Sequence, residues 1–72
     1  MMEKEKVIGR CILVEIREGD YAQKYEYENG DVEWLSGWNR ASNVKVGDKG
    51  LMVYRSTPSW GLSFFVKDKM RI

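Results

Sequence analysis

The second half of the chain interleaves aromatic and cationic side chains: Trp38 with Arg40, Tyr54 with Arg55, then Trp60, with Lys45 and Lys49 between them. Two kinds of chemistry use that combination. Aromatic platforms beside Arg and Lys hold single-stranded nucleic acid, by stacking on bases and neutralising phosphates. The same residue types build grooves that anchor a peptide or a partner protein. A tryptophan in a small fold also serves simply to close one end of the core. That role is expected for Trp34, which lies on the apolar phase of its segment. Trp38 and Trp60 sit in loops beside glycine and are open to either role.

Catalysis is poorly provided for. The chain has no histidine, so the usual general base and the commonest metal ligand are absent. Cys11 is the sole cysteine. Alone, it forms no intrachain disulfide, no structural zinc site and no Cys-His dyad. It lies among aliphatic residues and reads as a buried, inert thiol in a reducing, cytoplasmic setting. Gly47-Asp48-Lys49-Gly50 lacks the spacing of a phosphate-binding loop and reads as a turn. A non-enzymatic protein with no cofactor and no metal is expected.

A second group of residues is acidic. Glu26, Glu28, Asp31 and Glu33 are expected on one hairpin face, with Glu26 opposite Glu33. Like charges across a strand pair are mildly destabilising, which leaves two readings. One is a solvated face that keeps the hairpin soluble. The other is a patch for a basic protein or for a hard divalent cation. Net charge is +1, but its distribution is uneven. Residues 1–36 carry five Lys/Arg and nine Asp/Glu, giving −4, and residues 37–72 carry seven and two, giving +5. Acidic strands lying beside basic ones would neutralise this split, and a charged partner is the alternative.

The elements that must position these residues are short strands. Residues 1–6 are charged and read as a frayed arm with no secretory character. Val7 to Arg17 is a long β-prone run, with Ile8, Ile12, Val14 and Ile16 on one face and Val7, Cys11 and Leu13 on the other. Gly9 marks a place for a bend. Asn29-Gly30 between alternating segments predicts a two-residue type I′ hairpin. That register pairs Tyr25 with Trp34 and puts both on the buried face. Residues 38–43 are read as loop with one short helical turn, and Val44 to Val46 as a short extended piece. Leu51 to Ser56 and Leu62 to Lys67 complete the strands. Leu62, Phe64 and Val66 are expected to point inward, with Met70 and Ile72 continuing that set. Phe65 is expected to point outward, as an interface or dimer contact.

Residues 7–72 therefore read as a single all-β domain, a small five-stranded, SH3-like, antiparallel and meander-like barrel. An OB-like barrel is disfavoured because no helix is evident between the third and fourth strands. No apolar run approaches the length of a membrane span. The leading expectation is an interaction module, a regulator, inhibitor or subunit, that binds a protein partner. Its binding residues are Trp38, Arg40, Lys45, Lys49, Tyr54, Arg55 and Trp60. The 37–50 connection is expected to fold back and bring Trp38 towards Trp60. The alternatives are a single-stranded nucleic-acid-binding barrel and a homo-oligomer with a small-ligand site at its interface.

Overall fold

Five strands form one antiparallel sheet in the order β3-β2-β1-β4-β5. They are β1 (Lys4–Ile16), β2 (Gln23–Tyr27), β3 (Val32–Leu35), β4 (Lys49–Ser56) and β5 (Gly61–Lys67), with a 3-10 turn at Gly37–Asn39. This computed structural model describes residues 3–69. Among the described residues no helix is long and apolar enough to cross a membrane. Lys4 to Lys6, expected in a frayed arm, open β1 and pair with Ser56, Arg55 and Tyr54. Met70 and Ile72 lie outside the described residues.

The order is not that of a meander. After β3 the chain crosses the sheet, and β4 returns to lie beside β1. Strands β3-β2-β1-β4 thus form a Greek key. The connection that makes this crossing contains the 3-10 turn, shorter than the helical turn expected over 38–43. Val44 to Val46, expected as extended, is loop.

β1 is the central strand, paired with β4 from Lys4 to Ile12 and with β2 from Cys11 to Ile16. A strand of 13 residues must bend if its apolar residues are to reach one core. Two bulges supply the bend. One extra residue, Ile8, sits between Val7 and Gly9 against β4, and another, Val14, sits between Leu13 and Glu15 against β2. Each bulge shifts the alternation by one residue. Cys11, Leu13 and Ile16 consequently share the concave face, rather than Ile16 following Ile12.

The curl is visible in the core. Tyr25 on β2 and Phe65 on β5 have ring centroids 4.5 Å apart. In a flat sheet, three strand spacings would separate them by about 14 Å. The sheet is therefore a half-barrel, with Cys11, Leu13, Tyr25, Leu35, Met52 and Phe65 inside it. Gly50 lets this happen. A Cβ there would meet the Val66 carbonyl oxygen, and the Phe65 ring at 2.9 Å. Phe65, expected to point outward, is thus buried, and Leu62, Phe64 and Val66 take the outer face.

The hairpin differs from its expected form by one residue. Tyr27 N–H donates to the Asp31 carbonyl and Gly30 N–H to the Tyr27 carbonyl. The loop is therefore Glu28-Asn29-Gly30, and only Gly30 needs positive φ (+94°), the three-residue form with a glycine bulge. Tyr25 then faces Glu33, and Lys24 faces Trp34. Trp34 moves to the convex face, against the expectation that it closes the core. There it lies beneath the Arg17 guanidinium (5.0 Å) and near the Lys24 ammonium (5.9 Å).

Candidate interaction groove

The two edges of the half-barrel are joined by side chains in place of a strand ladder. Gln23 is buried and reads Ala41 in both directions. Its Nε2 donates to the Ala41 carbonyl (3.0 Å), and its Oε1 accepts from Ala41 N–H (2.9 Å) and from Tyr25 O–H (2.8 Å). Asn39 Nδ2 then donates to the Ser63 carbonyl on the outer edge of β5 (3.0 Å). Lys67 Nζ donates to the Asn43 carbonyl (3.1 Å). Residues 39–43 therefore run beside β5 and cover its edge, a common way to blunt an edge strand.

The 3-10 turn that starts this segment leaves Trp38 85% exposed. Arg40 braces the turn, donating from Nε to the Gly37 carbonyl (2.8 Å) and from a terminal nitrogen to the Asp20 carbonyl (3.3 Å). Across the seam, the β4–β5 turn presents Trp60, 46% exposed. Thr57 N–H donates to the Trp60 carbonyl (2.7 Å), and Trp60 N–H donates to Thr57 Oγ1 (3.3 Å). Between the two indoles lies a groove of about 420 Å³, lined by Trp38, Asn39, Arg40, Ala41, Arg55, Trp60, Leu62, Phe64 and Phe65.

Four of the seven expected binding residues, Trp38, Arg40, Arg55 and Trp60, come together in this groove. The other three lie elsewhere. Tyr54 packs over Gly61, where a Cβ would meet its Cζ at 2.7 Å. Lys49 lies with Arg10, Tyr27 and Glu28 around a separate depression. Lys45 is exposed in the loop before β4, its backbone N–H bonded to Asp48 (2.9 Å). The expected acidic patch is divided between faces. Glu33 accepts from Tyr27 O–H (2.6 Å) on the concave side. Glu26 faces Val32 on the convex side, and Glu28 and Asp31 sit at the hairpin tip.

Of the two cations that line the groove, Arg40 and Arg55, the second is answered by carboxylates of the chain. Arg55 lies over the Phe64 ring (4.9 Å) and pairs with Glu5 (2.5 Å) and Glu3 (3.6 Å). Arg10 pairs with Asp68 (2.5 Å). The Arg55 pairs join the acidic half of the chain to the basic half and offset part of the split charge, with Glu5 and Arg55 facing each other across β1 and β4; Arg10 and Asp68 are each the minority charge of their own half, so their pair leaves the split as it is. Arg40 has no carboxylate within ion-pair distance among the described residues. Burial pushes the Cys11 thiol up to about 11, as suits an inert core residue. It also raises Tyr27, with the Glu33 hydrogen bond adding to the shift. No three His, Cys, Asp or Glu side chains among the described residues converge as metal ligands could.

Several contributors lie outside the pattern of Trp and Arg. Gln23 and Asn39 are ordinary polar residues whose roles depend on distant partners. Leu62 and Phe64 reach the groove only because Phe65 turns inward. Outside the groove, Tyr21 is exposed with φ +60°, a region that side chains seldom occupy. Compared with protein-family models, curated proteins and solved structures, the chain matches none.

Proposed function

We propose that this half-barrel is an interaction module that seats an apolar side chain of a protein partner between Trp38 and Trp60. The observation that carries this reading is the character of the groove. Two exposed indoles flank Leu62 and Phe64, and Arg55 is already neutralised by Glu5 and Glu3. An apolar anchor suits such walls, whereas a phosphate chain needs several uncommitted cations. Arg40 is the cation left to a partner carboxylate, so the preferred motif is an apolar residue next to an acidic one.

The test is selection of a random peptide library on the full chain, with counter-selection on Trp38→Ala. Trp38 is so exposed that its truncation spares the fold. Apolar-acidic peptides should emerge and lose about 30-fold or more in affinity on Trp38→Ala, the effect of a hot spot of about 2 kcal/mol. Absence of any Trp38-dependent peptide refutes the reading.

A second reading, single-stranded nucleic acid, is favoured by topology. The Greek-key order weighs towards an OB-like rather than an SH3-like barrel. OB folds bind oligonucleotides over strands 2 and 3 and the loops joining strands 1–2 and 4–5. Those regions here carry Lys24 and Trp34, Tyr21, and Trp60. This is analogy of fold. Mixed oligonucleotides at two salt concentrations decide it. Tight binding with a steep salt slope, weakened by Trp34→Ala, favours nucleic acid.

A further inference from the structure

We propose that the uncovered edge of β1 from Lys4 to Ile8 is a second docking site, which takes an extended acidic segment of a partner protein as an added strand. The site is independent of the Trp38–Trp60 groove. β2 covers β1 only from Cys11 to Ile16. Beside Lys4 to Ile8 none of the described residues pairs in the lane that would continue β2, because the chain turns away at Glu28. Beyond the hairpin tip this lane opens into a depression of about 310 Å³ lined by Ile8, Gly9, Arg10, Tyr27, Glu28, Asn29 and Asp31.

The direction of the backbone groups follows from the ladder. Thr57 N–H donates to the Trp60 carbonyl and Asp68 N–H to the Lys49 carbonyl, so the odd-numbered residues of β4 bond to β5. Its even-numbered residues, Ser56 and Tyr54, therefore bond to Lys4 and Lys6, since bonding direction alternates along a strand. Glu5 and Val7 are left with their N–H and C=O groups aimed into that lane. Val7 is 56% exposed and Ile8 45%, so the lane is bordered by apolar surface as well as unpaired backbone. Such an edge is a template for strand addition.

Charge selects the occupant. Lys4 and Lys6 have no carboxylate within ion-pair distance among the described residues, while Glu5 and Glu3 are engaged by Arg55. The edge therefore presents two uncompensated cations on one face. A second copy of this chain is a poor fit. Two identical antiparallel strands related by a twofold axis pair residues whose numbers sum to an even value, because both members of a pair must aim their backbone groups the same way. Lys4 then meets Lys4, Lys6 or Ile8, and Lys6 meets Lys4, Lys6 or Ile8; no such register brings Lys to Glu. A foreign strand with carboxylates at alternate positions pairs both lysines, and its intervening apolar residues lie beside Val7.

The test uses the full chain, labelled for amide exchange, with a synthetic peptide of alternating Glu and Thr/Val as the probe. With millimolar peptide, exchange at the Glu5 and Val7 amides should slow about tenfold or more, while Lys4 and Lys6, already bonded to β4, stay unchanged. A Lys-for-Glu version of the peptide should fail on the parent chain and succeed on the Lys4→Glu/Lys6→Glu variant. Val7→Pro removes an outward donor that β4 does not use and should abolish protection. The proposal is overturned if the Glu peptide leaves Glu5 and Val7 unprotected, or if both peptides act equally. Protection of these amides by self-association without peptide overturns it in favour of a second copy.

Discussion

Replacing Gln23 by leucine tests the joint that closes the half-barrel. Gln23→Leu keeps the bulk of the side chain but strands three groups: the Ala41 N–H, the Ala41 carbonyl and the buried Tyr25 hydroxyl. Each polar group left without a partner costs about 1 kcal/mol or more, giving a loss of about 3 kcal/mol. A chain of this length has a total stability of about 4–10 kcal/mol, so much of it goes. The melting temperature should fall by about 15 °C. Urea unfolding followed by tryptophan fluorescence reads the change as a lower midpoint with an unaltered slope. Tyr25→Phe is the calibrating variant. It removes one donor while the Gln23 oxygen keeps Ala41 N–H, so the cost stays near 1 kcal/mol. Gln23→Glu adds a sign test. An ionised carboxylate would oppose the Ala41 carbonyl, whereas the protonated acid can donate to it. The folded state therefore raises the pKa of the introduced acid above its unfolded value of about 4.3. Its contribution to stability is then fully present below that pH and is lost as pH rises through the folded pKa. A Gln23→Leu loss below about 0.5 kcal/mol, within the range of ordinary surface changes, refutes the reasoning. So does a Gln23→Glu variant as stable at neutral pH as in acid.

The remaining predictions concern single residues. Gly50→Ala should cost several kcal/mol and expose Phe65, read by thermal melting, because its Cβ collides with backbone of β5; Gly9→Ala, whose Cβ meets only the Tyr27 ring at 3.4 Å, should fold normally. Gly30→Val should cost about 1–2 kcal/mol in the same assay, because a side chain resists the φ of +94° there even with open space around it. The Arg17 hydrogen bond, then the Ala22 N–H, hold Asp20 down at about 2. The stabilisation this gives is present above the unfolded carboxylate value near about 4 and is lost as pH falls through the folded value. Carboxyl NMR titration should show Asp20 moving back towards about 4 in Arg17→Ala. Cys11, raised by burial to about 11, should react with a thiol reagent at mildly alkaline pH only after denaturant is added; rapid labelling of the native protein would contradict its placement in the core.

What the sequence determines by itself is whatever depends on neighbours in the chain. Alternation and turn chemistry locate all five strands to within a few residues, and Gly30 marks the hairpin tip. The interleaving of aromatic and cationic residues singles out Trp38, Arg40, Lys45, Lys49, Tyr54, Arg55 and Trp60, of which the fold gathers Trp38, Arg40, Arg55 and Trp60 into one groove. What the tertiary structure alone decides is phase. Side-chain direction has a period of two, so one extra residue inverts every position beyond it. Ile8 and Val14 are such residues, and nothing local distinguishes a bulged isoleucine or valine from a paired one. A three-residue hairpin loop in place of two sends Trp34 outward, although both loops place glycine at the same point. Phe64 and Phe65 are equivalent by type. Phe65 turns inward because Gly50, across the ladder, leaves room for its ring against Tyr25. The strand order is likewise a long-range choice. β4 returns to β1 because the flank of β1 from Lys4 to Ile12 offers backbone partners, and the buried Gln23 fixes Ala41 on the crossing segment. Those partners lie 18 residues or more apart along the chain, beyond the reach of any local pattern.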